Sequence, residues 1–105
     1  MQHGNQDAKT SITAAGTTQS DATLLTAGIN MLGTVAADSG VVLAIAQSGA
    51  VQGVYNGGAN AVKVYPPVGA QINGLGTNNA HILATNTACV YWTFSETQLI
   101  GFLSA

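Results

Sequence analysis

The chain has 105 residues and a formal net charge of −2, and only 6% of its residues are charged, against about 25% in an ordinary soluble domain. The charges are Asp7, Lys9, Asp21, Asp38, Lys63 and Glu96, with no arginine and no cluster, which excludes the basic surface that captures DNA or RNA. A hydrophobic share of 47% is too high for a disordered chain. The longest apolar run, Val41 to Ala46, is far shorter than the ~20 residues of a membrane span.

In chain order, residues 1 to 8 read as a polar arm, and short apolar stretches alternate with turn signals from Lys9 onward. Thr10 to Ala14 and Ala22 to Thr26 are the first predicted strands. Ser20 to Thr26 is the one segment where a helix competes. Asn30 to Val35 and Gly40 to Ala44 follow, separated by a turn at Ala37-Asp38-Ser39-Gly40. Val51 to Tyr55 and Ala61 to Tyr65, joined by Asn56-Gly57-Gly58-Ala59-Asn60, predict a β-hairpin. Alternation places Val62 and Val64 on one face, with Lys63 and Tyr65 on the other. Pro66-Pro67 ends that strand because proline donates no backbone hydrogen bond.

The last third gives Ala80 to Ala84, Ala88 to Phe94 and Gln98 to Leu103, with a turn at Ser95-Glu96-Thr97. Val90, Trp92 and Phe94 share one face of their strand, while Cys89, Tyr91 and Thr93 share the other. Thirteen glycines and twelve threonines disfavour helix elsewhere. About eight short strands with regular turn signals predict an all-β fold: a single-domain sandwich or jelly-roll-like barrel of antiparallel strands. Residues 1–18 are set apart as the arm and first strand, and 19–105 as the β domain.

No constellation for chemistry stands out. A metal centre needs three or four convergent ligands, and the chain offers two histidines, His3 and His81, one cysteine and four carboxylates without paired spacing. Cys89 with His81 is the one nucleophile–base pair to consider, and Cys89 fits better as a small filler. Asp38 and Glu96 fall in turns. The glycines from Gly53 to Gly58 lack the Gly-Lys-Ser/Thr ending of a phosphate loop. No catalytic residue, metal or cofactor is expected. One cysteine forms no internal disulfide, and residues 1 to 7 carry no basic region followed by an apolar one, so synthesis in a cytoplasm is expected.

A neutral exterior of Thr, Ser, Asn, Gln, Gly and Ala gives up little desolvation energy when another protein covers it. The chain therefore reads as part of an assembly. Tyr55, Tyr65, Tyr91 and Trp92 are expected to form core and subunit contacts, and all four are taken as subunit-interface residues, with sugar stacking as their minor alternative. Gln2, His3, Asn5, Gln6 and Lys9 are the expected contacts of the arm with a partner.

Gly40-Val41-Val42-Leu43, Val54-Tyr55-Asn56-Gly57-Gly58-Ala59-Asn60-Ala61, Val64-Tyr65-Pro66-Pro67-Val68-Gly69 and Ile72-Asn73-Gly74 carry a resemblance. Together with the late aromatic strand, these segments resemble small virion structural proteins of tailed bacteriophages, among them head decoration (cement) proteins. The resemblance implies a β-rich, non-catalytic homo-oligomer, commonly a trimer, seated on the major capsid protein of the virion. Tail, collar and fibre parts share such modules, and a carbohydrate-binding module is a third reading.

Overall fold

The computed structural model describes residues 8–44 and 48–104. It is all-β and forms one compact domain. Its strands in chain order are β1 (Ala8–Thr13), β2 (Thr23–Leu25), β3 (Ile29–Thr34), β4 (Gly40–Leu43), β5 (Val51–Asn56), β6 (Val62–Tyr65), β7 (Gln71–Ile72), β8 (His81–Leu83), β9 (Thr87–Ser95) and β10 (Gln98–Leu103). The segment that could have been helical contains β2 instead, where Leu25 is buried in the core.

Two sheets share these strands. The larger runs β1-β3-β5-β9-β10-β7 and the smaller β2-β4-β6-β8. From β1 to β6 the chain visits the two sheets alternately, so that β3 stacks parallel on β1, β4 on β2, β5 on β3 and β6 on β4. This is a two-sheeted solenoid of three coils. β8 and β9 then add antiparallel strands to the two sheets, and β10 folds back antiparallel on β9.

The expectation of antiparallel strands throughout is therefore corrected. Strand pairing is parallel through the coils, apart from an isolated antiparallel bridge between Ala15 and Gly40, and antiparallel in the closing segment except for β7 on β10. The predicted hairpin is corrected with it: β5 and β6 lie in different sheets. Asn56-Gly57-Gly58 does turn the chain, but around a corner between sheets. The Asn56 side chain faces inward, accepts from Gly58 N at 2.9 Å and donates to the carbonyls of Asn60 and Leu83. Other inward amides serve the connection between β2 and β3. Gln52 donates to Leu25 O and Ala27 O, and Asn30 to Ala27 O and Gly53 O. Most of these bonds satisfy backbone carbonyls at or just beyond a strand end, those of Leu25, Ala27, Asn60 and Leu83, while Gly53 O lies within β5.

The core lies between the sheets. Leu25, Val41, Leu43, Val62, Val64 and Leu83 come from the smaller sheet, and Leu32, Val54, Ile72, Cys89, Tyr91 and Leu99 from the larger. The alternation read around Lys63 holds, since Val62 and Val64 point inward. Of residues 1–18, Ala8–Thr13 are the edge strand β1.

Candidate interaction surface

The outward side of the larger sheet is apolar. Register places Ile29, Gly53, Val90 and Phe102 in one row across four strands. Val51, Trp92 and Ile100 form the next row, and Met31, Tyr55 and Ala88 lie on the other side of the first. Phe94 extends the face along β9. Trp92 is the hub: its ring meets Phe102 edge-on at 5.5 Å between centroids and Phe94 at 6.5 Å. Trp92, Phe94 and Phe102 are 46%, 56% and 52% exposed. Beside them Val51, Trp92 and Phe94 line an open groove of about 440 Å³, with Ser48 at its rim.

Among the described residues, charge stays off this face. Lys63 belongs to the smaller sheet, Asp21 and Asp38 to the β1–β2 and β3–β4 connections, and Glu96 to the β9–β10 turn. Lys9 lies on the edge strand in register with Asn30, whose side chain points inward.

The four aromatic residues picked out from the sequence do not share a surface. Tyr55 and Trp92 lie on the outward face of the larger sheet. Tyr65 lies outside the smaller sheet, almost fully buried, with its ring over Gly40 and its hydroxyl donating to Thr17 O at 3.1 Å. Tyr91 is 1% exposed and sits in the core, so its place in a subunit contact is corrected: no side chain surface remains for a partner. Gln2, His3, Asn5 and Gln6 lie outside the described residues. The sequence reading missed Ile29, Met31, Val51 and Phe102 as parts of one face. They come from three strands, β3, β5 and β10, whose places beside one another and beside β9 follow only from the pairing register.

The His81–Cys89 pair meets only through Tyr91. Its hydroxyl lies 2.8 Å from His81 Nδ1, the two rings are edge-on at 5.7 Å, and Cys89 is buried beside it. Burial lowers the His81 pKa and raises that of Cys89, the latter against a smaller lowering by its hydrogen bond to Tyr91. Burial, followed by Cys89, also holds the Tyr91 phenol above its usual range. A raised thiol is the opposite of what activates a cysteine nucleophile. Among the described residues no three of His, Cys, Asp or Glu gather as metal ligands, and no helix is long and apolar enough to cross a membrane.

No family model matches the sequence, and no curated protein or solved structure is detectably similar to it.

Proposed function

We propose that this chain is a structural subunit of a tailed-bacteriophage particle: a head decoration (cement) protein that binds the outside of the capsid and stabilises the lattice of the major capsid protein. The observation that carries this reading is an uncharged aromatic face on the largest sheet of a chain with very few ions. A free monomer keeps itself soluble with interspersed charge and without a large apolar patch. A subunit that is always covered needs neither. The resemblance of residues 40 onward to virion structural proteins points the same way.

In this reading the two-layer, sandwich-like body is a rigid spacer with no reaction to perform, and the protein works as a homo-oligomer, with three copies the expected number. The segment before β1, with Gln2, His3, Asn5 and Gln6, reaches the major capsid protein, and Lys9 stands where that segment joins the sheet. Neutral hydrogen bonds and shape fit carry such a contact better than exposed ion pairs, which salt screens. The working place is the virion surface, after assembly in the host cytoplasm.

Stacked coils also suit an elongated appendage, so a tail, collar or fibre part is the second reading. Copy number separates the two: hundreds per particle for a cement protein, some dozens or fewer for a tail part. Deleting residues 1–7 tests the attachment, because it spares β1. Loss of capsid occupancy with an unchanged fold is expected, and unchanged occupancy contradicts the arm's role.

A further inference from the structure

We infer that the outward face of the larger sheet is the seat of a second copy of this chain, packed sheet on sheet with Trp92 near the centre. The inference rests on the reading of the protein as an assembling subunit and adds the surface and the occupant.

The register of β9 is the first argument. Of its two faces, Val90, Trp92 and Phe94 are the more apolar, yet they point out, while Cys89, Tyr91 and Thr93 point in. A one-residue slip would exchange the two sets. Interior contacts forbid the slip. Tyr91 reaches across to His81 on the smaller sheet, and Gly101 leaves the room that Cys89 and Tyr91 occupy. A Cβ at Gly101 would stand 2.9 Å from Cys89 Sγ and 3.1 Å from the Tyr91 ring. The chain thus holds its more apolar triad toward the outside by design of its core.

Size is the second argument. Ile29, Met31, Val51, Val90, Trp92, Phe94 and Phe102 are each exposed by between 38% and 56%. Together they present on the order of 700 Å², above the ~300–600 Å² of the largest patch on a typical monomer. Two such faces bury on the order of 1,400 Å², inside the ~1,200–2,000 Å² of a stable protein interface.

Self-complementarity is the third. A charged patch repels its own copy, whereas the described residues of this one bring no charge to repel. It also has relief: Gly53 lies between Ile29 and Val90 in the central row, and a Cβ there would touch only Gly28 O, at 3.8 Å. That leaves a hollow in the row between Ile29 and Val90, one strand from the projecting ring of Trp92. Packed sheets interdigitate through such knobs and hollows.

The test is sedimentation of the purified full chain at micromolar concentration, with far-UV circular dichroism to follow the fold. The wild type is expected as a dimer, because a face that packs on its own copy closes with two chains rather than the three that the resemblance implies. Phe102→Lys and Trp92→Lys are expected to keep the fold and raise the dissociation constant by about 30-fold or more, as hot-spot side chains do. Leu24→Lys, at a position 58% exposed on the smaller sheet, is the matched control and should leave the mass unchanged. If either lysine variant loses the fold, Gly53→Gln fills the hollow without touching the core and gives the same readout. A wild type that stays monomeric or forms a trimer, or an oligomer that survives these changes, overturns the inference. So does a monomer that uses Trp92 to bind capsid shells or lipid vesicles. The proposed function fails separately: it falls if purified particles carry no copies, whatever the mass in solution.

Discussion

The two sheets finish their outer faces differently. On the smaller sheet the chain covers itself. Tyr65 lies over Gly40, and Thr17 accepts its hydroxyl. The loop that holds Thr17 is pinned by Asp21, whose carboxylate accepts from Thr17 N, Thr18 N and Thr18 Oγ1. What remains exposed there, Leu24 and Ile82, shares the face with Lys63. On the larger sheet nothing among the described residues folds over the apolar rows. The lesson is that this short sequence can cap a sheet face from within, and the face it leaves bare is the one proposed to take a second copy.

The largest effect expected from breaking this contrast lies at two adjacent positions of β9. Tyr91→Ala empties the core and should cost about 3–5 kcal/mol in denaturant unfolding. Trp92→Ala should change monomer stability by less than about 1 kcal/mol and act instead on self-association. Equal costs at both positions would mean that the face is part of the folded core.

Two outward glycines give the next effect. A Cβ on Gly40 would come within 3.0 Å of the Tyr65 ring and 3.1 Å of Lys63 O, so Gly40→Ala should destabilise by about 1–3 kcal/mol. Gly53→Ala meets only Gly28 O, at an ordinary contact distance of 3.8 Å, and should be neutral, or stabilise by up to about 1 kcal/mol through the unfolded chain. Thermal melts at low protein concentration compare them. Tyr65→Phe removes one hydrogen bond from the covered face and should cost about 1 kcal/mol.

The smallest effect is a pH dependence. His81, on the smaller sheet, bridges to Tyr91 on the larger, and burial lowers its pKa from the usual 6.5. The unfolded chain therefore binds a proton more readily than the folded one. The stability from neutral His81 is complete above pH about 6.5 and declines as pH falls toward the lower folded value. Urea midpoints between pH 7.5 and 5 should fall in the wild type and flatten in His81→Gln. A midpoint that rises on acidification contradicts the assignment.

Much of the fold was legible from alternation alone. Val62 and Val64 inward, and the two faces of β9, follow from the two-residue period of a strand. Which strands pair was not legible. Asn-Gly-Gly is the ordinary signal of a hairpin, and local sequence does not say whether the chain returns beside itself or turns a corner into another sheet. Nor do the coils repeat at a fixed spacing. Lys9 pairs with Asn30, 21 positions on, and Asn30 with Val54, 24 on; Thr23 pairs with Val41, only 18 on. Without a constant period the solenoid leaves no repeat to find. The apolar face was half legible for the same reason. Val90, Trp92 and Phe94 announce a stripe, but hydrophobicity alone assigns it to the core. Only Gly101 and the Tyr91–His81 contact send it outward.

The most direct test uses Trp92, the one tryptophan in the chain, which sits on the face in question. Its fluorescence emission should move to shorter wavelength as protein concentration rises through the micromolar range, because a second copy dries the ring. Leu24→Lys should leave that shift intact and Phe102→Lys should abolish it. A water-exposed emission unchanged at every concentration would contradict the account.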